Sequence, residues 1–200
     1  MSHPDLRRMM ADEFFVWQAT QERLHELVDG VPVLPAKMMT GASRAHDRVV
    51  VNVIRELATK LRGGPCRPTT DDLAVRIPSG NVRRPDVTVD CGEGSARDMA
   101  VADPRVVVEV LSPSTMTFDR VRKLAEYRTV PSIAHILLID TEAPRVDLWS
   151  READGSPDGF WRRSTHDGLD ATLALPAIGV RLALADLFEG SSFAPPAEGG

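Results

Sequence analysis

The chain has 200 residues, 42% of them hydrophobic, and sets 24 Lys+Arg against 29 Asp+Glu for a formal net charge of −5. That is enough apolar material for one packed core, and the acidic balance argues against nucleic-acid binding that is purely electrostatic. No apolar run approaches the ~18 residues of a membrane span, MSHPDLRRMM has no apolar stretch behind its arginines, and Cys66 and Cys91 lack CxxC spacing. A cytoplasmic protein with two reduced thiols is the expectation.

In chain order, ADEFFVWQATQER from Ala11 to about Arg23 reads as a short amphipathic helix with an acidic start. In HELVDGVPVLP, Asp29-Gly30 between two apolar pieces is the two-residue hairpin signal. Met38 and Met39 in PAKMMTG read as a flexible loop. From Ser43, SRAHDRVVVNVIRELATKLRGG places Val50, Val53, Ile54, Leu57 and Leu61 at helical spacing, and Gly63-Gly64 stop the helix. LAVRI, the turn PSGN and VRRPDVTVDC then read as a β-hairpin, followed by a glycine-rich loop. The near-continuous valines of RVVVEVLS predict a central strand buried on both faces. FDRVRKLAEYR is helical, HILLID a buried strand, RVDLWSRE and FWRRSTHD a further strand pair, and ALADLFEG a short last helix. This order, without strict βαβ alternation, predicts an α/β (α+β) fold with a mixed β-sheet flanked by helices. Residues 1–190 form a single domain on this reading, and residues 191–200 a mobile tail.

Two acids stand where a core strand should be apolar. An ionised carboxylate in a dry core costs several kcal/mol unless it is paired, hydrogen-bonded or metal-bound. In RVVVEVLSPST, Glu109 shares its strand face with Val107 and Leu111, while Val106, Val108 and Val110 point the other way. In RRPDVTV, Asp86 follows Pro85, which has no N–H for a ladder and marks a strand start, edge or bulge. Two acids on neighbouring strands suit a hard cation such as Mg²⁺ or Mn²⁺. Asp71 and Asp72 offer a third acid, with Asp72 preferred. Asp119, Lys123 and Tyr127 are spaced four and four and form one polar stripe of the helix, with Val121, Leu124 and Ala125 away from it. A lysine beside metal-bound carboxylates orients or helps deprotonate a water and offsets phosphoryl charge, the chemistry of phosphodiester hydrolysis.

Pro85-Asp86, the strand with Glu109 and a downstream lysine resemble the PD-(D/E)xK nuclease superfamily. ELVDG, SRAHDRVVVN, GGPCR, RRPDVTV, VVVEVLSPST, DRVRKLAEYR, PSIAHILLID and PRVDLW, spanning about Glu13 to Glu189, resemble the Uma-two family of restriction-type endonucleases. The resemblance implies a restriction-endonuclease-like core and Mg²⁺-dependent hydrolysis of DNA, with Asp86 and Glu109 as metal ligands. The superfamily lysine two positions after the acid falls on Leu111, so Lys123 stands in from the helix. Glu26 and His46 enter as supporting residues through the same segments.

Simpler roles stand beside these. Glu109 neutralised by Arg83 or Arg84, Asp86 as a turn acid, Lys123 as a solvated helix residue and Glu26 as a strand acid facing water need no chemistry. Asp119 caps its helix, Tyr127 packs at a helix–sheet boundary, and His46 is a hydrogen-bonded boundary residue on the face of Val50 and Val53. Ser112 and Ser114 lack a GxSxG elbow and read as turn and helix-entry residues. Arg120, Arg122, Lys123 and Arg128 outnumber Asp119 and Glu126 and offer a phosphate-facing surface. The alternative to an endonuclease is a nuclease-like binding or regulatory module that does not cut, with homodimerisation expected from the commonness of two-fold assemblies.

Overall fold

The structure, a computed structural model, describes residues 8–35, 43–111, 117–152 and 160–193, with 117 and 118 as backbone only. Met38, Met39, Ser112, Ser114 and the last seven residues lie outside them. Helix α1 spans Ala11–Gln18 and ends before the expected boundary, because the Gln18 side chain donates to Arg23 O and accepts from His25 N, folding the chain back. Strands β1 (Glu26–Val28) and β2 (Val31–Val33) form the expected hairpin, with Asp29 at φ 51° and Gly30 at φ 79°. Both turn residues are left-handed, as a two-residue type I′ turn requires.

Helix α2 (Arg44–Lys60) is capped by Ser43, whose side chain accepts from His46 N. Then come β3 (Arg67–Thr70), β4 (Val75–Arg76), β5 (Val82–Arg83), β6 (Val87–Asp90) and β7 (Pro104–Leu111). Helix α3 (Thr117–Thr129) joins β7 to β8 (His135–Asp140). The chain closes with β9 (Arg145–Glu152), β10 (Phe160–Asp167), the hairpin β11 (Thr172–Leu175) and β12 (Val180–Ala183), and α4 (Leu184–Leu187).

The main sheet has the order β10-β9-β8-β7-β6-β3, in which only β7 and β8 run parallel. Parallel neighbours need a crossover, and α3 supplies it. β7 is buried on both sides: Val106, Val108 and Val110 pack with Val49, Val53 and Leu57 of α2, while Val107 packs with Tyr127, Val130 and Ile136 on the α3 side. The result is the mixed sheet between helices that the sequence pattern predicts. A smaller sheet, β2-β1-β5-β4, joins the first hairpin to the second.

Three expectations need correction. VRRPDVTVDC is not one strand: Val82–Arg83 belongs to the small sheet and Val87–Asp90 to the main one. The break falls at Arg84-Pro85-Asp86, where proline has no N–H for a ladder and Arg84 N donates to Glu26 instead. Cys66 and Cys91 are not free thiols but form a disulfide. Strand β3, whose polar RPTT shows no alternation, pairs Arg67 with Asp90 and so sets the two flanking cysteines opposite each other. Phe193, placed in the tail by its composition, packs its ring edge-on against Phe188.

Candidate active site

The acids meet at one end of the main sheet, where β6 begins and β7 ends. Val87 pairs with Val108, so the register continues from Asp86 to Glu109. Asp86 is 5% exposed; its Oδ2 accepts from Val110 N at 2.8 Å and lies 3.4 Å from His46 Nε2. His46 reaches it from the first turn of α2, on the buried side shared with Val49 and Val53. Glu109 Oε1 accepts a 2.6 Å hydrogen bond from the Tyr127 hydroxyl.

Lys123 ties the site together. Its ammonium lies 3.1 Å from Glu26 Oε1, 3.6 Å from Asp119 Oδ2 and 3.8 Å from Glu109 Oε1. Burial opposes its charge, but Glu109, Glu26 and Asp119 outweigh that and hold its pKa well above the ordinary value. Burial and the same two glutamates push Tyr127 well above its usual range, so it remains a phenol that donates. Helix α3 thus turns its polar stripe inward and leaves Val121 59% exposed. Leu124 does not lie away from that stripe, as its spacing suggested; it lines the same cleft as Lys123.

Glu26 does not face water. It is 2% exposed, accepts from Arg83 Nη1 at 2.9 Å and from Arg84 N at 3.1 Å, and touches Lys123. Burial raises its pKa, yet Lys123 and then Arg83 bring it below the ordinary 4.5. Arg83, 1% exposed, also donates to Glu126 and lies 3.8 Å from Asp119. Arg83 thus pairs with Glu26 and Glu126 and approaches Asp119. Burial raises Glu126, but Arg83, Arg122 and Asn81 draw its pKa down. Arg83 and Glu126 were not among the sequence candidates; the hints were the Arg-Arg pair before Pro85 and the spacing of Glu126 four residues after Arg122.

Asp72 lies outside this group. It is exposed, its carboxylate accepts from Thr70 Oγ1, and its carbonyl accepts from Arg84. The short turn after β3 points that side chain to solvent. The basic surface expected of α3 is also largely internal: Arg122 binds Asp29 and Glu126, Lys123 is enclosed, and Arg128 lies over Trp149 and Trp161. A cleft beside the acids is lined by Glu109, Leu111, Asp119, Arg120, Lys123, Leu124, Tyr127 and Leu138. Leu111 takes part through its side chain, while its carbonyl accepts from Thr141 Oγ1.

The mixed sheet between helices, with acids gathered where β6 begins and β7 ends, defines a restriction-endonuclease-like α+β fold. A crystal structure from Anabaena variabilis ATCC 29413, described as a putative nuclease belonging to DUF820, superposes on it with a TM-score of 0.66, covering 90% of this chain and 97% of that one at 16% identity. The chain belongs to the Uma2 family, described as "Putative restriction endonuclease", whose model matches residues 11–185. Two relatives come from Synechocystis sp. (strain ATCC 27184 / PCC 6803 / Kazusa), both uncharacterized proteins. One, slr1290, is 29% identical over 93% of this chain and 94% of its own length; the other, sll1609, is 33% identical over 68% and 76%. Among the described residues no helix is long and apolar enough to cross a membrane.

Proposed function

We propose that this protein is a metal-dependent endonuclease of the PD-(D/E)xK type that hydrolyses DNA phosphodiester bonds. Asp86 and Glu109 hold Mg²⁺ or Mn²⁺, and Lys123 stands beside the attacking water. The observation that carries this reading is the meeting of Asp86, Glu109 and Lys123 at one sheet end although they are distant in sequence.

Among the described residues no three His, Cys, Asp or Glu side chains gather to hold a metal ion by themselves. Two carboxylates nevertheless fit Mg²⁺, which takes one or two protein acids and completes its shell with water and substrate phosphate. Charge favours a cation as well. Lys123 faces three acids within 4 Å, Glu26, Asp119 and Glu109, and Asp86 adds a fourth at the same sheet end. A bound ion supplies charge for the phosphoryl oxygens and lowers the pKa of a water.

The chain's own groups do the rest. Lys123 stays an ammonium, so it is a donor and a fixed positive charge rather than the base. Tyr127 fixes the Glu109 carboxylate, and Val110 N–H fixes that of Asp86. The test is cleavage of plasmid, linear and single-stranded DNA over a range of Mg²⁺ and Mn²⁺. Wild type cuts, and Asp86→Ala, Glu109→Ala and Lys123→Ala each lose most of the activity. Equal cleavage by all four proteins identifies a contaminant and removes the claim. Calorimetry showing no binding of either metal at millimolar concentration leaves the non-catalytic module in its place.

A further inference from the structure

Three arginines around this sheet end make no ion pair or hydrogen bond among the described residues. Arg120 lines the cleft with Glu109 and Lys123, is exposed, and makes no ion pair or hydrogen bond among the described residues. On the α2 side, a groove is lined by Arg44, Arg48, Thr141, Ser191 and Phe193. Arg44 and Arg48 stand one turn apart, both exposed and both without an ion pair among the described residues. Two contacts join this groove to the acids: His46, between the two arginines in sequence, reaches Asp86, and Thr141 donates to the carbonyl of Leu111, two residues after Glu109.

We propose that Arg120 on one side, and Arg44 with Arg48 on the other, form the track that holds the phosphate backbone of duplex DNA over the sheet end carrying Asp86 and Glu109. The inference rests on the nuclease reading above and adds to it the residues that grip the substrate. A guanidinium presents forked donors that match two phosphate oxygens. On a chain of charge −5, a polyanion is held best where cations are not already paired. Helices α2 and α3 pack on opposite faces of the main sheet, so the two sets of arginines flank its end as a backbone crossing it requires.

Arg62 provides the control. It is likewise exposed and without an ion pair among the described residues, but lies beyond the far end of α2, about 27 Å along the helix axis from Arg44. The experiment is fluorescence anisotropy of a short labelled DNA duplex, titrated over a range of salt in EDTA and again in Ca²⁺. Wild type binds with an affinity that falls steeply with salt. Arg120→Ala makes the log–log slope shallower by about 1, and Arg44→Ala/Arg48→Ala by about 2, while Arg62→Ala leaves it unchanged. Arg120→Lys, which keeps the charge, retains the slope. A wild-type slope in either alanine variant, or an equal loss in Arg62→Ala, overturns the track and leaves the nuclease reading standing. A wild-type protein that binds no duplex in either condition removes both.

Discussion

Replacing Arg83 by methionine tests whether the buried ion network ties the small sheet to helix α3. The substitution keeps most of the apolar stem and removes a cation whose side chain is 1% exposed, leaving the side chains of Glu26 (3%) and Glu126 (12%) without it. Breaking one side of a buried pair costs about 3–5 kcal/mol. Glu26 retains Lys123 and Arg84 N, and Glu126 retains Arg122 and Asn81, so the low end applies. For a chain of this size each kcal/mol moves Tm by about 2–4 °C, so a loss of about 3 kcal/mol lowers it by about 6–12 °C. Calorimetric melting at neutral pH reads this directly. Arg83→Met combined with Glu126→Leu recovers part of the loss, because the stranded charge is removed with its partner. The pH dependence has a definite sign. Glu26 and Glu126 have folded pKa values below the ordinary 4.5, so their stabilisation is present above that value and fades as pH falls through the folded ones. The gap between wild type and variant therefore narrows in acid. A gap below about 1 kcal/mol at neutral pH that stays constant into acid refutes the network's role.

His135 is 2% exposed, and burial, then Arg105, lowers its pKa from 6.5 to about 4. The unfolded chain binds the extra proton between those values, so wild type gains up to about 3 kcal/mol as pH rises from 4 to 6.5. Urea midpoints of wild type and His135→Gln should converge as pH falls through that window; a constant offset counts against a buried neutral imidazole. Tyr127→Phe keeps the ring in the core but removes the donor to Glu109, lowering stability by about 1.5–3 kcal/mol in urea denaturation. An unchanged midpoint means that the phenol does not hold the acid. The disulfide closes a sequence separation of 25, which corresponds to about 3.5 kcal/mol of chain entropy. Dithiothreitol should lower the wild-type Tm and leave Cys66→Ala/Cys91→Ala unmoved, and a wild type insensitive to reduction denies the bond its weight.

Where side chains repeat with a clear period, the elements were legible. The i, i+3, i+4 apolar spacing after Ser43 and the valines of β7 admit few other structures. The acids were legible for a related reason, since a carboxylate inside a valine run demands a partner. What escaped depends on contacts distant in sequence. Strand β3 has no apolar alternation and exists because β6 offers it a free edge; the disulfide follows from that pairing, not from cysteine spacing. Asp72 was preferred for its proximity to a strand, but a turn decides its direction. The partnership of Arg83 with Glu126 spans 43 residues, so the Arg-Arg pair and the spacing of Glu126 after Arg122 mark each residue locally but not their pairing.

The leucine at 111 gains its meaning from Glu26. A lysine side chain on β7 would share a strand with Glu109, whereas Lys123 approaches from α3 and must be held in place from elsewhere. Glu26 on β1 does this at 3.1 Å, and is itself fixed by Arg83 and by Arg84 N–H, on either side of the point where the chain leaves the small sheet for the main one. Leu111 then lines the cleft with Leu124 and Leu138, an apolar wall beside the ammonium and the acids it faces. The Asp-Gly hairpin is thereby part of the candidate site rather than a remote ornament of the fold. The break at Pro85, which ends one sheet and sets Asp86 at the start of the other, is also what lets Arg83 and Arg84 hold the glutamate that positions Lys123.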